Sequence, residues 1–260
     1  MKTLPNEIAL NLDSNAEVSV KASIAPIEHT LSNFHVEWDA LANLRVAEPE
    51  KRHPISIFQS FLPSEPVSVG ECWQIEKTSV MVLLRQLNPN PNLDMHMDSG
   101  DSRGLWACLR AYNDRFADIA FRIHAEFKLE DGWLTPSQFA GNLIIDRLER
   151  RIDFFEMSVP AGTVNLDIGW KEDKEASYSI TDAGFCSQME LRAGARDVAQ
   201  NIEFVAAITP EAAECTLAER FYKSEQINWV PPDQASALAA AEVKLIHAIS
   251  IDGPLADESC

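Results

Sequence analysis

The sequence predicts an α+β protein with a β-rich central region, flanking helices and a C-terminal unit of strand, helix and strand. Three observations lead to this fold class. Apolar and polar residues alternate over 119–129, the period-two pattern of a β-strand. Apolar residues recur at helical spacing over 80–87 and stop at the Asn-Pro-Asn-Pro sequence of 88–91. Near the end of the chain, an alanine-rich helix over 234–242 separates two short apolar segments.

Length and composition allow one large domain or two small ones. The chain has 260 residues, of which 46% are apolar, so it can bury a core. Forty acidic residues against 22 basic ones give a formal charge of −18, which argues against a nucleic-acid or anionic-membrane partner. The N-terminus lacks the apolar stretch of a signal peptide, and no segment has 18 consecutive apolar residues. We therefore expect a soluble, cytoplasmic protein with no membrane contact.

The first of three predicted regions, 1–70, has the weakest periodic pattern, and one short helix is the only element we assign there. Prolines interrupt its short apolar groups at Pro26, Pro49, Pro54, Pro63 and Pro66. The first clear helix lies beyond this region. It is predicted to begin at Thr78 or Ser79, which are suitable capping residues, and to end before the prolines of 88–91.

The second region, 71–205, is predicted to be an α+β domain with an antiparallel meander. The alternation over 119–129 indicates a strand with one buried and one wet face. Thr135 and Pro136 suggest the start of a helix. The apolar-rich stretches 142–146 and 152–159, joined by a charged connection, and the alternating stretch 164–170 indicate further strands.

The third region, 206–260, is predicted to form a compact βαβ unit preceded by a helix. Thr209, Pro210 and an acidic residue mark the start of a helix that runs to about Tyr222. The strands 227–230 and 245–251 then flank the alanine-rich helix. A crossover helix makes such strands parallel and the connection right-handed. Reactive groups in parallel sheets follow the carboxyl ends of strands.

Five cysteines form no CxxC pair and have no metal-ligand spacing: Cys72, Cys108, Cys186, Cys215 and Cys260. The sequence therefore predicts neither a metal site nor a disulfide framework, and a reducing cytoplasm would keep the thiols free. Cys260 follows the last predicted strand, a position that suits a thiolate nucleophile. The alternative is an inert tail thiol, because Asp257 and Glu258 would raise its pKa.

Other motifs are weaker. His124 and Glu126 form the H-x-E pattern of zinc deaminases, but the P-C-x-x-C partner is missing, so we expect a surface or interface pair. The acidic loop 94–101, which contains Asp94, His96, Asp98 and Asp101, fails the calcium-loop register, because Ser99 stands where glycine is required. Kinase, dinucleotide-binding and α/β-hydrolase motifs are absent from the sequence.

Two stretches of the sequence carry unusual residue combinations. The central stretch comprises 121–127 (FRIHAEF), Trp133, 135–136, 138–145 (QFAGNLII), 154–155, 159–160, 165–167 and 188–191. The C-terminal stretch comprises 244–251, 253–255 and 257–260 (DESC). Together they resemble the selenoprotein N family, over roughly residues 73–260 and without a comparable match before residue 70.

This resemblance implies a thioredoxin-like selenoprotein reductase that protects against oxidative stress. It implies that Ser259 and Cys260 are the first half of a Ser-Cys-selenocysteine-Gly motif, with the selenocysteine directly after Cys260 and no other cofactor. Because selenocysteine is encoded by UGA, we expect a bacterial homologue truncated at its active site. The C-terminal unit would then be an incomplete thioredoxin-like βαβ unit, and the fragment would be inactive. The EF-hand and membrane anchor of animal members are not seen in this sequence.

In the intact protein, a selenolate would attack an oxidised protein or a peroxide, Cys260 would resolve the intermediate, and a thiol reductant would restore the pair. Ser259 and Cys260 are thus the predicted site residues, and a homo-oligomer remains open. The alternative function is a non-catalytic binding or interaction protein that uses the central sheet.

Overall fold

The computed structural model describes residues 7–13, 15–29, 44–93, 104–130, 132–136, 138–160, 166–171, 177–221 and 229–248. Within them lie two antiparallel sheets and five helices, which confirms the predicted α+β class. The strands are β1 Glu17–Ile24, β2 Ile27–His29, β3 Glu50–Pro54, β4 Cys72–Gln74, β5 Pro91–Asn92, β6 Leu105–Tyr112, β7 Phe116–Ile123, β8 Glu126–Lys128, β9 Gly132–Pro136, β10 Phe139–Asp146, β11 Arg151–Ser158, β12 Leu166–Lys171, β13 Ser177–Cys186, β14 Met189–Ala193 and β15 Ala206–Ala207. The helices are α1 Ser56–Gln59, α2 Lys77–Leu87, α3 Arg196–Gln200, α4 Pro210–Phe221 and α5 Pro232–Glu242.

The larger sheet has nine strands among the described residues. Its order is β15-β6-β7-β10-β11-β14-β1-β3, and β4 pairs with β6 beside β15. The smaller sheet has six, in the order β2-β13-β12-β9-β8-β5. Strands β1 and β3, from the region where only a short helix was predicted, therefore lie in the same sheet as the central strands β6 to β11.

The main core lies on the inner face of the large sheet. Phe58 from α1 and Phe61 just after it meet the sheet residues Phe121 and Phe155, with the Phe58–Phe155 and Phe61–Phe121 ring centroids each 5.0 Å apart. Edge-on aromatic contacts of this kind add to the gain from apolar burial. Helix α2 buries its apolar face against β1 and β14. Apolar residues of the small sheet, such as Phe127, join the same cluster, so the two sheets share one core.

The predicted strand over 119–129 is in fact two strands. The chain leaves the large sheet at the end of β7 and enters the small sheet at β8, so the period-two pattern continues through a change of sheet. The prediction of a wet face is also wrong at three positions, although Lys128 is exposed as predicted. Arg122, His124 and Glu126 are only 3%, 1% and 2% exposed, because elements distant in sequence cover them.

Of the other elements predicted in the central region, some are confirmed and one is wrong. The stretches 142–146 and 152–159 are confirmed as strands, since they fall largely in the antiparallel hairpin of β10 and β11. The stretch 164–170 is also a strand where it is described, but it pairs with β9 and β13 in the smaller sheet rather than extending the meander. Thr135 and Pro136 do not begin a helix, because both lie in β9.

Of two predicted helix starts, one is confirmed and the other is wrong. The predicted start at Thr209 and Pro210 is confirmed, and the Thr209 hydroxyl oxygen accepts a hydrogen bond from the Ala212 N–H at 3.1 Å. The predicted cap at Thr78 or Ser79 is wrong, because α2 begins at Lys77 and its capping residue is Glu76, which makes no side-chain cap hydrogen bond.

The C-terminal unit matches the prediction only in its helix. Helix α5 lies where the alanine-rich helix was expected. The described parts of the two flanking segments, residues 229–230 and 245–248, are not in strands. Leu245 is 99% exposed, so this apolar side chain is not packed in a sheet. In the described part of the chain, no helix is long and apolar enough to cross a membrane.

Close packing at Gly141 predicts a strong effect of adding one methyl group. A Cβ there would lie 2.0 Å from the Glu156 carbonyl oxygen and 2.4 Å from the Phe121 ring, and the backbone oxygen cannot turn away. Overpacking of this kind costs about 3 kcal/mol. We expect Gly141→Ala to lower the free energy of unfolding by that amount, measured by urea denaturation.

Gly70→Ala is the matched control. A Cβ at Gly70 meets nothing within 4 Å, but the residue has φ of 87°, so the substitution carries only backbone strain, about 1 kcal/mol. Equal losses in the two variants would contradict the packing of β10 between its neighbours.

Candidate functional site

Helix α4 covers the outer face of β6 and β7, opposite the main core. The Ile208 N–H donates to the Arg110 carbonyl oxygen at 2.9 Å, which ties the start of the helix to β6. Ala213 and Leu217 then pack against Cys108. Both faces of these strands are therefore covered, and the polar side chains under the helix are removed from bulk water.

A cluster of buried polar residues lies at the far end of this interface. Arg122 Nε donates to His124 Nε2 at 3.1 Å. Phe221, the last residue of α4, stacks on the His124 imidazole with ring centroids 3.7 Å apart. Glu126 accepts a hydrogen bond from the Asn92 side-chain amide. The predicted surface or interface pair of His124 and Glu126 is therefore wrong, because both side chains are buried within the chain.

The His124 imidazole is held in its neutral form. Burial lowers its pKa well below the ordinary value, and the nearby Arg122 guanidinium lowers it further. A neutral ring can accept the Arg122 hydrogen bond, which a protonated ring could not. No group of three or more histidine, cysteine and acidic side chains suited to a metal ion occurs among the described residues. This cluster therefore joins the two sheets and helix α4.

A pair of thiols lies under the same helix. Cys72 of β4 is directly opposite Cys108 of β6 in the antiparallel ladder. Cys108 is fully buried, whereas Cys72 is partly exposed. None of the four described cysteines is in a disulfide. Two thiols from distant parts of the chain thus meet at the edge of the large sheet.

The surroundings of this pair favour a thiolate at Cys72. A hydrogen bond from the Cys108 thiol lowers the pKa of Cys72 to about 7, with burial opposing the change and the Arg220 guanidinium supporting it. The pKa of Cys108 is raised, because its thiol is held by Cys72 and is buried. Arg220 also lies over the Trp106 ring, 5.4 Å from its centroid, a cation–π contact that keeps the guanidinium near the thiols.

The site residues predicted from the sequence cannot be placed. Ser259 and Cys260 lie outside the residues that the structure describes, as does the acidic loop 94–101. The structure instead brings together residues that the sequence analysis did not combine, namely Cys72, Cys108 and Arg220. No local spacing signals this group, because it depends on the pairing of β4 with β6 and on the docking of α4.

Comparison with known proteins gives matches to selenoprotein N. Selenoprotein N of Danio rerio is 30% identical over 242 residues, covering 79% of this chain and 42% of that protein. Selenoprotein N of Mus musculus is 27% identical, covering 85% and 50%, and that of Homo sapiens is 26% identical, covering 85% and 47%. The chain is a distant homologue of selenoprotein N.

The resemblance found in the sequence is thereby confirmed as homology. The chain spans about half the length of the selenoprotein N relatives that it matches. No family model matches it. No solved structure matches it significantly.

Neutral His124 predicts a pH dependence of stability. In the unfolded chain its pKa is about 6.5, so below that pH the unfolded state binds a proton that the folded state excludes. Folding is therefore weakened as the pH falls through this range. Between pH 7 and 5.5 we expect the unfolding free energy of the wild type to fall by about 1 kcal/mol more than that of His124→Gln.

Chemical denaturation at a series of pH values measures this difference. His53, whose pKa burial also lowers, is unchanged in both proteins, so its contribution cancels in the comparison. Parallel stability curves for the two proteins would contradict a neutral, buried His124.

The lowered pKa of Cys72 predicts its reactivity. In a Cys215→Ser background, which removes an exposed thiol, we expect the iodoacetamide alkylation rate of Cys72 to rise with pH around a midpoint near 7. Arg220→Gln should move this midpoint upward, because the thiolate loses its cationic neighbour. Peptide mapping after timed alkylation measures the rate at this one residue.

Arg196→Gln is the control, because Arg196 pairs with Glu156 and Glu190 and has no part in the thiol pair. A midpoint for Cys72 near that of an ordinary exposed thiol, about 8.5, would contradict the arrangement.

Proposed function

We propose that this protein is an oxidoreductase of the selenoprotein N type, in which Cys260 works with a selenocysteine encoded directly after it. Its substrates would be an oxidised protein or a peroxide, and a thiol reductant would restore it. The observation that carries the proposal is the homology over about four fifths of the chain, together with the Ser259–Cys260 match to the family motif. Ser259 and Cys260 are the proposed site residues.

For a disulfide substrate, Cys260 acts as the resolving thiol. The selenol is more acidic than a thiol and supplies a stronger nucleophile and a better leaving group. Once one substrate sulfur is bonded to selenium and the other has left as a thiol, Cys260 attacks the selenium and releases the remaining substrate thiol. The substrate has then gained two electrons and two protons, and a Cys–Sec bridge remains. Two electrons from the thiol reductant reopen this bridge.

Two structural features support parts of this proposal. Helix α5 lies where the thioredoxin-like unit that we propose for residues 206–260 would have its helix. The four described cysteines are all outside disulfides, which suits a reducing compartment such as the cytoplasm.

The test uses an extended chain that carries selenocysteine at the next position. Reduction of a model disulfide such as insulin, with glutathione as reductant, should be lost or fall at least about tenfold on changing Cys260→Ser, because the intermediate cannot be resolved intramolecularly. A Cys72→Ser change in every protein removes the described reactive thiol from the measurement. Cys215→Ser is the matched control for substitution of an exposed cysteine and should keep its activity.

The outcomes separate the two functions raised by the sequence. Unchanged turnover in Cys260→Ser would remove this residue from the mechanism. No turnover in the extended chain would overturn the oxidoreductase proposal and favour a binding protein.

A further inference from the structure

We propose that Cys72 and Cys108 form a separate redox centre, a dithiol that closes reversibly into a cross-strand disulfide by exchange with small disulfides such as glutathione disulfide. This centre lies in the described fold, does not involve Cys260 and does not rest on the function proposed above.

The ladder between β4 and β6 shows that the two cysteines occupy the right kind of position. The Leu109 N–H donates to the Glu71 carbonyl oxygen at 3.2 Å, and the Ile75 N–H donates to the Leu105 carbonyl oxygen at 2.9 Å. Both are hydrogen-bonded pairs of the ladder. Because such pairs alternate with non-hydrogen-bonded pairs, Cys72 and Cys108 form a non-hydrogen-bonded pair.

This position fits the geometry of a disulfide. Opposite residues in a non-hydrogen-bonded pair have Cα atoms about 4.5 Å apart, with their side chains close together on one face. Disulfides span Cα separations of about 4.4–6.8 Å. Each thiol is the largest influence on the pKa of the other, as expected for side chains on one face of neighbouring strands. Closure therefore needs little movement of the strands.

The different exposure of the two thiols assigns their roles. Cys72 is partly exposed on a short strand at the sheet edge and has the Arg220 guanidinium beside it. It can therefore meet a small disulfide from solvent. Cys108 is fully buried beneath Ala213 and Leu217, so a solvent reagent does not reach it first. It is positioned to attack a sulfur bonded to Cys72.

The exchange balances in two steps. The Cys72 thiolate attacks glutathione disulfide, the glutathione S–S bond breaks, and a Cys72–glutathione disulfide forms as one glutathione thiolate leaves. Cys108 gives up its proton and attacks the Cys72 sulfur as a thiolate, so the Cys72–Cys108 bond forms, the bond from Cys72 to glutathione breaks, and the departing glutathione takes that proton. The first glutathione thiolate takes a proton from water, so two cysteines are oxidised and one glutathione disulfide is reduced to two thiols.

The other described cysteines do not offer such a pair. Cys186 ends β13 in the small sheet, and its thiol donates to the carbonyl oxygens of Ala25 and Gln188 at 3.5 and 3.2 Å. Cys215 is on the exposed face of α4, where its thiol contacts Glu219. The facing ladder position and the graded exposure occur together at Cys72 and Cys108.

The test uses the full 260-residue chain with Cys215→Ser and Cys260→Ser, which leaves three cysteines. The folded protein is equilibrated with glutathione and glutathione disulfide at a series of ratios, quenched with acid and alkylated with N-ethylmaleimide after unfolding. We expect three adducts under reducing conditions and one, at Cys186, under oxidising conditions. Peptide mapping should find the residue 72 and 108 peptides linked, and added glutathione should restore all three adducts.

Cys108→Ala in the same background is the matched variant. It leaves Cys72 in place without its resolving thiol, so we expect a Cys72–glutathione adduct to persist where the parent protein forms the internal disulfide. Far-ultraviolet circular dichroism checks that both proteins are folded.

Three results would overturn the proposal. Three adducts at every ratio would show that the pair does not close. A linkage of Cys186 to either thiol would show that the proposed pairing is wrong. A Cys72–Cys108 bond that stays closed in reduced glutathione would show a static crosslink rather than an exchanging centre.

Discussion

Packing of helix α4 on the outer face of β6 and β7 is the interaction on which the described site depends. The helix buries Cys108 with Leu217, places Arg220 beside Cys72 and stacks Phe221 on His124. These effects all come from the last turn and a half of α4. Displacement of α4 would admit water to the thiols and to the imidazole together. The lowered pKa of Cys72, to which Arg220 contributes, and the neutral form of His124 thus both depend on this packing contact.

The sequence predicts elements whose signals are local. The start of α4 follows from Thr209 and Pro210, and β10 and β11 follow from apolar stretches separated by a charged turn. The burial of Arg122 and His124 could not be predicted, because the helix that covers them comes much later in the chain. The chain changes sheet after Ile123 without a break in the alternating pattern. The sequence therefore predicts one strand where the structure has two.

The same distinction explains the thiols. Cys260 is noticed from the sequence because its neighbours match a family motif, whereas Cys72 and Cys108 carry no motif and lie on strands that β-pairing brings together. The register of the two strands decides which residues lie opposite each other. A shift of the register by one residue would send the two side chains to opposite faces. The β4–β6 register is fixed by the buried alternation of β6, which has Leu105, Ala107 and Leu109 on the core face.

The strong negative charge of the chain does not prevent a thiolate at Cys72. At physiological ionic strength charges are screened over about 8 Å, so the formal charge of −18 matters less than the groups in contact with the sulfur. There the Cys108 thiol and Arg220 outweigh burial and the carboxylate of Glu71. An ordinary thiol can therefore supply a thiolate where a cationic group such as Arg220 lies beside it.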